Sequence, residues 1–144
     1  MINRRGIFMQ ILTEIMELKT NNRVEIIDIT RSVDAALAES RLRKGLVNIY
    51  SKHSTSAIFI NENESGLLED YLNLIDKLVP TDDNYRHDQI DNNADSHLRS
   101  FIIGNNETVP FENGSMDLGT WQSVFFLDMD GPRNRKITIT IMGE

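Results

Sequence analysis

The 144-residue chain contains no cysteine. That excludes a disulfide framework, a thiolate zinc site and a cysteine nucleophile. Proline occurs three times and tryptophan once. Long apolar runs are missing: the longest, Ala57 to Ile60 and Val124 to Leu127, hold four residues each. A membrane-spanning helix needs about 20. The short apolar stretch after Arg4 and Arg5 is followed by no small-residue cleavage site, so no secretory signal is expected. A basic excess is missing too. The net charge is −7, without the positive footprint that broad nucleic-acid binding requires. Gly-x-x-x-x-Gly-Lys, Gly-x-Gly-x-x-Gly and Gly-x-Ser-x-Gly do not occur, which removes the usual signatures of P-loop, dinucleotide and serine-hydrolase sites. The length fits one domain over residues 1–144, with residues 1–9 as an N-terminal extension. The expected setting is cytoplasmic, with neither membrane nor nucleic acid as partner.

Charge is unevenly spread. Residues 1–52 carry nine Lys/Arg and six Asp/Glu, whereas residues 53–144 carry six and sixteen. Ten of the acids fall between Glu62 and Asp95. They read as a solvated acidic face or as the mouth of a cation site, since hard cations prefer oxygen ligands.

Periodicity outlines the elements. Met9 to Leu18 alternates loosely and reads as a strand or a short helix, and Val24 to Ile29 follows the turn residues Asn21 and Asn22; together they predict a hairpin. Thr30 can cap a helix to about Ser40 with Val33, Ala36, Leu37 and Ser40 on its inner face. Strands are expected at Leu46–Tyr50 and Ser56–Asn61. Leu67, Leu68, Tyr71, Leu72, Ile75, Leu78 and Val79 form a helical stripe that Pro80 ends. The polar stretch Thr81–Asn93 is long for a plain connection. Asp95 can cap a helix to Ile103, with Leu98, Phe101 and Ile102 inward and Gly104 as its stop. The remainder reads as strands: Glu107–Phe111, a turn at Asn113-Gly114, Trp121–Met129, a turn at Gly131-Pro132, and Lys136–Met142. In the last, Ile137, Ile139 and Ile141 alternate with polar residues, so one face is wet and the other buried. An α+β domain built on antiparallel sheet fits this order.

His53, His87 and His97 are the chain's three histidines. His53 precedes Ser54-Thr55-Ser56, His87 lies in Tyr85-Arg86-His87-Asp88, and His97 occupies the first turn of a helix. Three imidazoles plus a carboxylate such as Glu62 or Asp95 would satisfy a zinc ion. Separate histidines, one capping, one packed and one exposed, are the plainer alternative. The N-terminal end of the helix at Asp95 is also a candidate phosphate site. Glu62, in Asn61-Glu62-Asn63, reads as a helix cap or as a carboxylate base. Gly119-Thr120-Trp121-Gln122 reads as a turn followed by a core aromatic. Arg133 is a solvated turn residue or an anion contact.

Seven segments occur in a characteristic order: His53-Ser54-Thr55-Ser56-Ala57, Ile60-Asn61-Glu62-Asn63, Asn84-Tyr85-Arg86-His87-Asp88, Asn93-Ala94-Asp95-Ser96-His97-Leu98, Leu118-Gly119-Thr120-Trp121-Gln122, Asp130-Gly131-Pro132-Arg133 and Gly143-Glu144. This set resembles the YjbQ family along essentially the whole chain after Met9. The resemblance implies a small α+β fold with a β-sandwich, jelly-roll-like body and about three helices, assembled as a homotrimer. It places all three histidines at motif positions, and so implies a shared site able to hold a divalent metal ion, zinc or magnesium, on His53, His87 and His97. Two departures stand out: Ser123 follows Trp121-Gln122 where many members have Gly, and Asp128 stands where many have Glu.

The family is labelled secondary thiamine-phosphate synthase. That label implies a transferase acting on small phosphorylated metabolites, in which a thiazole nitrogen displaces pyrophosphate from an aminopyrimidine carbon. Glu62, Asp95 and His87 are the candidate catalytic groups. Trp121, Gln122, Arg133 and Thr55 are the candidate substrate and phosphate contacts. A metal-dependent hydrolase could use the same residues. So could a trimer that binds a metal or a phosphometabolite without turnover, or one whose polar motifs join subunits.

Overall fold

The computed structural model describes residues 8–144; residues 1–7 of the expected extension lie outside the described part. Phe8 and Met9 are exposed and precede the first strand. The elements are β1 (Gln10–Lys19), β2 (Glu25–Asp28), α1 (Thr30–Ser40), β3 (Lys44–Ser51), β4 (Ser56–Glu62), α2 (Ser65–Leu78), a short 3-10 helix (Arg86–Gln89), α3 (Ala94–Ile103), β5 (Asn106–Glu112), β6 (Ser115–Met116), β7 (Gln122–Asp128) and β8 (Asn134–Gly143). All strand pairings are antiparallel. One sheet runs β1-β8-β3-β5-β6 and the other β2-β7-β4. The α+β class read from the sequence is the observed one.

The hairpin expected between β1 and β2 does not form. β1 pairs with β8 in the larger sheet, and β2 pairs with β7 in the smaller. The polar turn at Asn21-Asn22 instead carries the chain from one sheet to the other, and Glu25 accepts the Asn21 and Asn22 backbone N–H groups there.

One core lies between the sheets. Val47 and Ile49 of β3, Val109 and Phe111 of β5, and Ile137, Ile139 and Ile141 of β8 meet Ile58 of β4 and Val124 and Phe126 of β7. Val33, Ala36 and Leu37 of α1 join the same core. Each fully buried Ile, Val or Phe contributes about 1.5–3 kcal/mol by removing apolar area from water.

The smaller sheet is buried on both faces. Ala57, Leu127 and Met129 form a second cluster on its outer side with Phe59, Tyr71, Leu72 and Ile103, under α2 and α3. This explains the two uninterrupted apolar runs. They are strand partners, with Ala57 opposite Leu127, Ile58 opposite Phe126, Phe59 opposite Phe125 and Ile60 opposite Val124. A strand covered on both sides has no wet face to alternate toward. Tyr71 is packed against Phe59, and burial pushes its hydroxyl pKa up to about 12.

Helices α2 and α3 depart from the expected facing. In α2, Ile75 is buried, but Leu67 and Leu78 are exposed. The α2 cap is Glu64, whose carboxylate accepts the Gly66 and Leu67 N–H groups at 2.8 and 2.7 Å; Glu62 is not the cap. Those two bonds hold the Glu64 carboxyl below its usual pKa. In α3 the buried residues are Ala94, Asp95, Ser96 and Arg99, while Phe101 is 85% exposed and Ile102 59%. Asp95 is not its cap either. The Ala94 N–H is bound by Asp88 from the 3-10 helix, at 3.0 Å. No described helix is long and apolar enough to cross a membrane.

Candidate functional site

α3 is turned inside out by charge pairing. Arg23 grips both oxygens of Asp95, at 2.8 and 3.1 Å. Arg99, one turn along, lies 3.7 Å from the same carboxylate and also donates to Asp76 and to the Val79 carbonyl. Ser96 donates to the Met129 carbonyl. A buried face can be polar when every group on it is partnered. Asp95 therefore holds the helix in place and is not available as a general base.

Pairing inward leaves the other face of α3 to line space. His97 and Phe101, four residues apart, border two adjoining cavities. The first, about 370 Å³, is lined by Ser51, Lys52, His53, Ser54 and Asn105, with Ser100 and Gly104 of the helix end. The second, about 390 Å³, is lined by Tyr85, Arg86, His87, Ala94 and Leu98. Ser100 fixes the helix over β4 by donating to the Ser56 carbonyl at 2.7 Å. The His87 and His97 rings meet edge to face with centroids 4.9 Å apart.

His53 is engaged by the sheet. Its Nε2 accepts the Lys136 backbone N–H at 3.0 Å. Burial and the neighbouring Arg135 guanidinium lower its pKa. The ring's other nitrogen then carries the proton and offers no lone pair to a metal. Among the described residues, no group of three His, Asp or Glu side chains is placed to hold a metal ion. The three-histidine metal centre thus does not fit the residues as one chain arranges them, although His97 does share one cavity with His53 and the other with His87.

The other predicted residues are scattered. Thr55 is buried, and its hydroxyl accepts from Arg135 at 3.1 Å. Asp128, wholly buried, binds Arg135 through two hydrogen bonds of 2.6 and 3.0 Å and accepts from Thr20 at 2.7 Å. Burial alone would raise its pKa, but the Arg135 and Thr20 bonds outweigh that and lower it. The shorter carboxylate at 128 is thus a structural anchor. Glu62 lines a separate cavity of about 90 Å³ with Phe59, Leu67 and Tyr71. Trp121 is 72% exposed, not a core aromatic. Gln122 accepts the Gly119 N–H at 2.8 Å and braces that turn. Arg133 binds Asp130 at 3.1 Å.

Lys52 and Asn105 escaped the sequence reading, which takes Phe101 for an inward packing residue and not for part of a site. Lys52 adjoins His53, and Phe101 is one turn from His97, so proximity to a motif was the available signal. A family model for UPF0047 protein YjbQ-like chains matches residues 14–144. The chain belongs to the YjbQ family. Among its YjbQ relatives, a UPF0047 protein of Methanothermobacter thermautotrophicus is 55% identical over 139 residues, covering 96% of this chain and 97% of that one. UPF0047 protein YugU of Bacillus subtilis is 39% identical over 130 residues, covering 89% and 97%. The crystal structure of a YbjQ-like protein of unknown function from Sulfolobus solfataricus matches with a TM-score of 0.92 at 36% identity, covering 95% of this chain and all of that one. The YjbQ fold is therefore the fold of this chain, and the histidine-lined twin cavity is built on it.

Proposed function

We propose that the twin cavity around His97 binds a phosphorylated heteroaromatic metabolite, and that the chain is a transferase of the thiamine-phosphate synthase type. One observation carries this reading: the two cavities share His97 and Phe101 but differ in lining. The first is edged by Lys52, His53, Ser54 and Asn105, and none of the described residues lining it is acidic, in a chain with 22 Asp and Glu. That is the lining a phosphate needs. The second combines Tyr85, Leu98 and Phe101 with Arg86 and His87, which suits a flat ring.

The reaction is a displacement. The thiazole nitrogen attacks the methylene carbon of the aminopyrimidine, the new C–N bond forms as the C–O bond breaks, and the electron pair leaves with pyrophosphate. The attacking nitrogen has no proton to lose, so the step needs charge stabilisation on the leaving group more than a base. Lys52, Arg86, His53 and His97 are the cavity groups available for it. This also accommodates the position of Asp95 in an ion pair and of Glu62 in another cavity.

A homotrimer is part of the proposal. Phe101, Ile102 and Ile90 are exposed beside the site, and Ile11, Leu46 and Met142 are exposed on the larger sheet. Ile11 is opposite Met142, and Met142 is opposite Leu46, so they form one apolar row. The ion pair at Asp95 and the location of Glu62 in another cavity favour a second reading, capture of a phosphometabolite without turnover. Calorimetric titration with the aminopyrimidine pyrophosphate, followed by product detection after adding thiazole phosphate, tests both. Binding with product, both reduced at least tenfold in Lys52→Ala, is expected; binding without product selects the second reading, and no binding overturns the site.

A further inference from the structure

The hydrogen bonds behind the two cavities settle which atoms each can offer. β3 stops at Ser51, opposite Ile137. The next backbone N–H of β8, at Lys136, has no strand rung there and donates to His53 Nε2 at 3.0 Å. A backbone N–H only donates, so Nε2 holds the lone pair and, in the neutral ring, the proton sits on Nδ1.

His87 is set the other way, through two intermediates. The Asp130 carboxylate accepts from Arg133 Nη2 at 3.1 Å and from Asn93 Nδ2 at 3.0 Å. A carboxylate has no proton to give, so the Asn93 amide must turn its nitrogen toward Asp130 and its oxygen away. That oxygen stands 3.2 Å from His87 Nε2. It only accepts, so Nε2 carries the proton and Nδ1 holds the lone pair. Asn93 is buried, and it heads α3, where Asp88 binds the adjacent Ala94 N–H.

We propose that these two arrangements give the cavities opposite hydrogen-bonding character: His53 Nδ1–H is a fixed donor at the first and His87 Nδ1 a fixed acceptor at the second. The ligand that fits has an anionic phosphate and a flat ring bearing an N–H or O–H donor. Asn93 and Asp130 are positioning residues acting through His87. The inference rests on the twin-cavity reading and deepens it. Of the two substrates named above, the aminopyrimidine has a ring amine to give His87 and the thiazole ring has none. The pyrimidine is thereby assigned to the second cavity, and its pyrophosphate to the first.

Long-range proton–nitrogen correlation spectra of the nitrogen-15-labelled chain at pH 8 test this without ligand or assay. There are three histidines to assign; His87→Gln and His97→Gln identify two, and His53 is the third. The expected patterns are Nδ1–H for His53 and Nε2–H for His87, and either ring in the other form, or in a mixture, overturns the proposal. In Asp130→Asn the amide at Asn93 is free to turn, so His87 becomes a mixture while His53 is unchanged. An unaltered His87 overturns the positioning role. Inorganic phosphate added to the same wild-type sample separates this inference from the reading beneath it. A saturable shift of the His53 signals is expected. Correct tautomers with no phosphate response sink the cavity reading alone, whereas a response with reversed tautomers sinks the present inference alone.

Discussion

β8 and α3 are each ten residues long and amphipathic, yet they turn opposite faces inward. β8 buries Ile137, Ile139 and Ile141 and shows its Lys and Thr residues to solvent. α3 buries Asp95, Ser96 and Arg99 and exposes Leu98, Phe101 and Ile102. The difference lies in the partners. β8 packs against the other sheet, where the contact is apolar except at its Arg135 end, which Asp128 and Thr55 bind. α3 sits where Arg23, Asp76 and two backbone carbonyls can satisfy a polar face. Its apolar side is thereby released to line cavities.

The contrast can be broken most severely at the one charged residue that β8 buries. Asp128→Ala strips the buried Arg135 of both charge-assisted bonds, and roughly 3–5 kcal/mol of stability should be lost, as for other buried pairs with one partner removed. Urea unfolding would show the midpoint falling; a change within error would mean that Arg135 finds water. On β8, Ile139→Ala should cost about 2–5 kcal/mol through lost burial and the cavity left behind, again by urea unfolding.

The exposed side of α3 should behave in the opposite way. Phe101→Ser should change stability by no more than about 0.5 kcal/mol, the usual range for a surface substitution, yet weaken binding of the aminopyrimidine pyrophosphate. A large loss of stability in the monomeric protein would show that Phe101 is a packing residue after all.

The smallest effect sharpens the role of His53. Its folded pKa is lower than the unfolded value near 6.5, so below that pH the unfolded chain binds more protons. Its contribution is complete above pH 6.5 and is lost as pH falls from there through the folded pKa. His53→Gln should flatten that part of the stability profile in thermal melts between pH 8 and 5. An identical slope in the variant would assign it to another group.

How legible all this was follows the same divide. The strands of the sandwich could be read because each has only two faces, and the alternation of Ile137, Ile139 and Ile141 names the buried one. The unbroken run Val124–Leu127 was readable as a strand, but not as one covered on both faces, since that depends on where α2 and α3 fall. The pairing of β1 with β8 instead of β2 was beyond local pattern, because Asn21-Asn22 looks the same whether the chain returns or crosses. For the site, the motif order brought out His53, His87 and His97, all of which border the cavities. It did not show that Asp95 would be held by Arg23, Thr55 by Arg135, or that Glu62 would lie elsewhere. The first two outcomes are set by arginines distant in sequence, and nothing local to Asp95 or Thr55 foretells its partner.

The larger sheet also constrains the order in which the molecule can be made. β8 lies between β1 and β3, with Gln10 opposite Gly143, so neither earlier strand has its central neighbour until the last strand leaves the ribosome. Until then Leu12, Met16 and Leu18 of β1 have only an incomplete core to cover them. Contacts this distant in sequence make for slow folding. During synthesis the nascent chain therefore carries β1 without its central neighbour until β8 emerges.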